Sequence, residues 1–298
     1  PALRTVHLTG DARFGGPNRW DIRGASVGPL LNLAGFTVTK TSANEVAFFN
    51  CEVTDGSLIV GQGLVRLEQG TTVTSGLGRI MVGAAGTLDI YNLAGAVTRA
   101  ITLTNGYLRN GVGANVVGSP ITLAGQTNHF EPYAGTSLAL TGLVDGAGAL
   151  RKLNTGTLRL LRTEAYTGDT LVNAGVLSLE ASDATLGTIG AASSLTISHG
   201  GTVRVTTNDG LFGAQPRSVT VIGAGILTAT NSSARLTGPL TLRGGALEGG
   251  APDAVRGNWK LETVVNVVSN AAITAARVQL GVATGTVFEV AADQTLVT

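Results

Sequence analysis

The chain has 298 residues, a formal charge of +1, 43 glycines, a single cysteine and only 4% aromatic residues. The near-balance of charge argues against an electrostatic nucleic-acid binder. The lone Cys51 rules out an internal disulfide or a cysteine metal cluster, and no apolar run reaches the ~18 residues of a membrane helix.

So few large rings suit a solenoid, which needs aliphatic ladders and glycine turns, better than a closed globular core. Seventeen of the twenty basic residues are arginines, scattered without a polybasic run. The chain opens at Pro1 with neither methionine nor signal peptide, and is expected to be a mature or excised piece.

In chain order, Val6–Leu8, Trp20–Ile22 and Leu30–Leu33 are the first strand candidates, separated by Gly10-Asp11, Gly15–Asn18 and Gly24–Gly28. Phe36–Thr39, Val46–Phe49 and Cys51–Thr54 follow, closed by the turn signal Asp55-Gly56. Phe36, Phe48 and Phe49 form the richest aromatic cluster, expected to be a local core or an N-proximal plug. Cys51 beside them reads as a small buried apolar residue.

From Ser57 a unit recurs: an apolar-x-apolar strand, a short glycine turn, and a second strand. It appears as Leu58-Ile59-Val60 with Val65, Ile80-Met81-Val82 with Leu88, and Ile101-Thr102-Leu103 with Leu108. Later copies are Leu195-Thr196-Ile197 with Val203, Val219-Thr220-Val221 with Leu227, and Leu240-Thr241-Leu242 with Leu247. The starts are spaced by 22 (58 to 80), 21 (80 to 101), 24 (195 to 219) and 21 (219 to 240) residues. A period of about 20 to 25 residues is one turn of a β-solenoid. One rung cannot bury its apolar faces alone, so it must stack on the next. About 12 to 14 such rungs, stacked roughly 4.8 Å apart, would span roughly 60 Å.

Between these groups, Gly146–Glu180 sets alternating pieces at Leu150–Leu153, Thr157–Leu161 and Val176–Leu179 against turns at Gly148, Gly156 and Gly175, with Tyr166-Thr167-Gly168 as a corner. Gly146, Gly148, Leu150, Lys152, Gly156, Thr157, Leu158, Leu160, Tyr166, Thr167, Gly168, Val172, Asn173, Gly175 and Leu177 match a known pattern. This stretch of 35 residues resembles the passenger-associated transport repeat, the autotransporter-type β-strand repeat of secreted bacterial surface proteins. Asn154 departs from that pattern, which usually has glycine there. Gly10–Phe14 and Arg19–Arg23 look like the degenerate repeats that accompany it. The resemblance implies a right-handed parallel β-helix at or beyond a bacterial outer surface, and implies no activity.

Two loops, Asp183–Gly187 and Asn208–Gly213, share a template and are expected to protrude from the same side of adjacent rungs, their carboxylates making Asx turns or helix-like caps. Gly249–Asp253 with Val255 reads as a third. Strands at Val264–Val268, Ile273-Thr274, Val278–Leu280 and Val287–Val290 complete the chain, with no polar cap at Thr298.

A carbohydrate-active β-helix would need converging carboxylates or an Arg/Lys base. The pairs one rung apart are Asp145 with Asp169 and Asp183 with Asp209, each beside turn residues. His7, His129 and His199 have no metal spacing, and neither a phosphate loop nor the calcium-binding nonapeptide is present. Trp20, Trp259 and Tyr133 would serve as sugar platforms if exposed in one line; packing at a solenoid end or corner is the commoner use of isolated aromatics. Asn231-Ser232-Ser233 fits a glycosylation sequon at chance frequency.

The sequence therefore reads as one all-β solenoid domain over 1–298, with irregular rungs over 1–56 and regular rungs over 57–298. No catalytic, cofactor-binding or metal-binding residue is assigned. The expected role is a rigid scaffold, adhesin stalk or filament subunit that is secreted or displayed on a bacterial surface. Its expected partners are itself, head to tail, further repeats of a parent chain, or surface glycans, with no nucleic acid and no membrane insertion. The alternative is a polysaccharide lyase, a glycosidase or a carbohydrate-binding adhesin.

Overall fold

The computed structural model describes residues 2–24, 28–74, 76–230, 232–250, 258–275, 277–281, 286–292 and 294–298. The Gly24–Gly28 turn falls partly outside them. Asn231 of the sequon, and residues 251–253 and Val255 of the third expected loop, also lie outside. Among the described residues the named strands of neighbouring rungs pair in parallel, with one isolated antiparallel bridge at Ile222 and Gly244, and the chain winds through about 13 turns of a β-solenoid. Its backbone groups into two compact units, Pro1–Gly148 and Ala149–Thr298.

In the first unit, each rung runs through three faces. Inward residues of the first face stack as Val38, Leu58, Ile80, Ile101, Ile121 and Val144, each at most 1% exposed. On the second face the ladder is Val46, Val65, Leu88, Leu108 and Phe130. The third face is weaker, built from Thr5–His7, Leu30–Asn32, Glu52–Val53 and Thr72–Val73, then from Ala114–Val117 and Ser137–Leu140. Alternation makes this possible: a residue between two ladder positions points outward, where Thr and Arg are tolerated.

Two expected strand pairs are single continuous strands. Ser57–Glu68 and Ile80–Tyr91 each run for 12 residues across the corner between the first two faces, with a register irregularity between Val82 and Ala85. Glycine makes the bend without a turn, because a Cβ on Gly86 would lie 2.0 Å from the Val60 carbonyl oxygen of the rung before. The expected phenylalanine plug does not form. Phe48 is buried, Phe36 is 37% exposed, and Phe49 points outward beneath Arg23.

In the second unit, the first-face ladder is Leu150, Thr170, Leu195, Val219, Leu240, Val265 and Phe288. The second-face ladder is Leu158, Leu177, Val203, Leu227, Leu247 and Ile273. A third face appears only late, from Ser233–Leu236, Asn258–Leu261 and Arg277–Leu280. Tyr166, the corner residue of the repeat, is fully buried, its hydroxyl 2.6 Å from Thr170 Oγ1.

The loops after Asp183 and Asn208 occupy the third-face position in their rungs. They do share a template: Gly187 and Gly213, both left-handed, donate to the Asp183 and Asp209 carbonyls at 2.7 and 3.2 Å. Thr188 and Ile189 N–H groups donate to Gly210 and Leu211, so the loops stack. The expectation that they protrude is corrected. Ala184 and Thr185 of the first loop are exposed, but Leu211 and Phe212 of the second, and Ile189 just after the first, are buried, because this part of the rung must supply the apolar surface that a strand supplies elsewhere.

Candidate functional site

The densest array of ionisable groups lies on the outward side of the second face in the first unit. Alternation places Asp21, Ala47, Arg66, Asp89, Arg109 and Glu131 in one column, one residue per rung. The charges alternate in sign over the last four. Arg66 reaches Asp89 Oδ2 at 2.9 Å through Nε and Glu45 at 2.9 Å through Nη1; Arg109 reaches Glu131 at 3.2 Å. At the lower edge, Arg19 gathers Asp21, Glu45 and Glu68, and Arg23 bonds Asp21. Guanidinium groups also lie over rings: Arg23 on Phe49, Arg66 on Tyr91 and Arg109 on Tyr133, at 4.6 to 5.1 Å.

Asp89 is the buried centre of this column, its side chain 1% exposed. Burial pushes its carboxyl up, against the hydrogen bond and charge of Arg66 and the charge of Arg109. A polymeric substrate cannot reach a carboxylate so covered. The arrangement is a structural ion column in which each acid is held by a base.

A second class of ionisable group faces inward at the corners. Lys40 and Lys152 take ladder positions, paired in register with Val60 and Val172. Lys152 Nζ donates to the carbonyls of Leu153, Asn154 and Ala174 at 2.7 to 3.0 Å, and Lys40 Nζ to those of Ser42 and Gln62. Arg99, 1% exposed, donates to the carbonyls of Val53, Thr54, Gly56 and Thr74. Where the backbone turns between faces its carbonyls lose their ladder partners, and a buried cation supplies the missing donors. Burial pulls the Lys152 ammonium down to about 7.

The residues singled out in sequence separate accordingly. Asp183 Oδ1 accepts from the Thr185 and Leu186 N–H groups at 2.8 and 3.0 Å, the cap expected of it, and these bonds hold its carboxyl below the usual range. Asp209 adopts a left-handed backbone and lines a hollow together with Arg235, Lys260 and Arg277. Asp145 belongs to the first unit; Asp169, in the second, accepts from Ser194 Oγ at 2.7 Å. His7 lies 3.2 Å from Asn32 Nδ2, His129 stacks on Tyr107 at 4.4 Å, and His199 holds a left-handed corner. Among the described residues no three His, Cys, Asp or Glu side chains gather as a metal site. Cys51 is buried, its thiol pushed up to about 12 by burial.

The three ring platforms do not form one line. Trp259 is fully buried, its Nε1 donating to Glu248 O at 2.7 Å; Trp20 packs edge-on against Phe14; Tyr133 is 39% exposed under Arg109. Sequence reasoning missed the buried cations, although Val38-Thr39-Lys40 and Leu150-Arg151-Lys152 carry the same signal, a lysine where alternation demands an inward residue.

Two hollows open on the second unit. The larger, about 670 Å³, is walled mainly by glycine and alanine, with Glu248 its one charged residue. The smaller, about 350 Å³, lies over the third face and carries Arg235, Lys260 and Arg277. Among the described residues no helix is long and apolar enough to cross a membrane.

No family model matches the chain, and no solved structure does. Over 175 residues, 58% of its length, the chain is 31% identical to the adhesin BmaC autotransporter of Brucella suis biovar 1 (strain 1330). It spans 5% of that protein's length.

Proposed function

We propose that this chain is a stretch of the rigid extracellular body of a bacterial surface adhesin of the autotransporter type. The observation that carries the reading is the set of register-matched parallel ladders within each unit of a β-solenoid of about 13 turns, found in a chain similar to an autotransporter adhesin. Such a ladder pairs its backbone and its aliphatic side chains rung over rung, which suits a stiff stalk. The role is mechanical rather than catalytic. Its support is that the conspicuous carboxylates are engaged: Asp89 and Glu131 with arginines, Asp183 with its own loop.

The same reading includes stacking along the axis. Phe288 and Val290 hold ladder positions yet are 37% and 44% exposed, and Leu280 on the third face is 49% exposed. An edge of this kind accepts another rung, of a longer parent chain or of a second copy.

Antibodies raised against the folded chain test the location. Labelling of intact, unpermeabilised cells of the source bacterium is expected; labelling that needs permeabilisation would overturn the proposal.

A further inference from the structure

We infer that the groove on the third face of the second unit binds acidic polysaccharide, holding its carboxylate or sulfate groups between Arg235, Lys260 and Arg277. The inference gives a ligand class to the scaffold proposed above and rests on that reading for its biological setting.

Three parallel strands build the floor. Ala234, Trp259, Leu236 and Leu261 are at most 1% exposed, so alternation turns Arg235, Lys260, Arg277 and Gln279 outward. Register sets Arg235 beside Lys260 and Lys260 beside Gln279, while Arg277 stands one rung further on and two residues back. The cations are thus spaced along the solenoid axis at the interval of one rung, about 4.8 Å. The preceding loop adds Asn208, and the first strand Ser233, to a hollow of about 350 Å³.

The charges are incompletely neutralised. Glu262 serves two of the cations, at 2.5 Å from Lys260 Nζ but 3.8 Å from Arg235 Nε. That Nε is buried and has no hydrogen-bond acceptor, so the Arg235 guanidinium is met by Glu262 only at the longer distance and its charge is weakly offset. Arg277 has no ion pair among the described residues, and Asp209 is the one carboxylate in the lining.

Fixed cations beside amide and hydroxyl groups match a polymer that offers anions and hydroxyls together. A nucleic acid would call for exposed rings to stack its bases, and the tryptophan here faces the core. A protein partner would call for an apolar anchor, which this polar lining lacks.

Binding of the whole purified chain to heparin, polygalacturonate and neutral dextran tests the inference. One or both acidic polymers should bind, more weakly as salt rises, and dextran should not; the two acidic polymers tell sulfate from carboxylate recognition. Arg277→Gln should weaken binding about tenfold, the loss of one charge-assisted hydrogen bond, and R235Q with K260Q should abolish it. Arg79→Gln, which removes an exposed arginine of the first unit, should leave it unchanged. Failure of both acidic polymers to bind at low salt would overturn the inference, as would equal weakening by Arg79→Gln. Purified chain reports on the groove and cell labelling on the location, so each can fail alone.

Discussion

Arg66 holds Asp89 across neighbouring rungs, Nε to Oδ2 at 2.9 Å, with the carboxylate almost wholly withdrawn from solvent. Removing one partner of such a pair strands a buried charge. Arg66→Met is therefore expected to destabilise the protein by about 3 kcal/mol, whereas the double variant Arg66→Met with Asp89→Leu should recover most of that loss. Urea midpoints of the two variants check this; equal destabilisation would mean that Arg109 already balances Asp89.

Arg99 should be harder to replace than its lack of a carboxylate partner suggests. Its guanidinium serves four carbonyls around one corner. Lysine has one nitrogen to place among them, so Arg99→Lys is expected to cost about 2 kcal/mol and Arg99→Met more, each carbonyl left bare adding to the loss. Thermal unfolding in the order wild type, lysine, methionine is the check.

Lys152 makes stability depend on pH. Burial lowers its folded value from 10.5 to about 7. Between those values the unfolded chain binds more protons, so stability rises with pH from about 7 and levels off above about 10.5. Lys152→Met should remove that slope, seen as the difference between the two proteins' urea midpoints across the range. A constant difference would show that the three carbonyls keep the ammonium charged throughout.

Gly175 and Gly223 separate backbone strain from crowding. Both are left-handed, at φ 63° and 59°. A Cβ on Gly223 meets nothing within 4 Å, whereas one on Gly175 lies 2.5 Å from the carbonyl oxygens of Asn154 and Gly156. Gly223→Ala is expected to cost about 1 kcal/mol, and Gly175→Ala distinctly more, as melting temperatures will report.

The repeat spacing was legible because the ladders use aliphatic residues in strict alternation. Leu58 pairs with Ile80 and Ile80 with Ile101; Leu195 pairs with Val219 and Val219 with Leu240, the offsets read from sequence. The third face was less legible, since Thr5–His7 and Glu52–Val53 alternate too briefly to stand out. Ion partners such as Arg66 and Asp89 were hidden for another reason. They are 23 residues apart, and only the register tells which outward positions meet. The buried loop residues Ile189, Leu211 and Phe212 failed differently, because short turns rich in Gly and Asp read as surface when they replace a missing strand.

Rungs here differ in length, yet their ladder positions coincide: successive offsets of 20, 22 and 21 residues join Val38, Leu58, Ile80 and Ile101 in one column. The corners absorb the difference. Inserting or deleting one whole rung would change the stack by about 4.8 Å while every retained ladder residue found an equivalent neighbour. Length thus becomes a quantity adjustable in small, uniform steps, independently of the side chains on the outward faces.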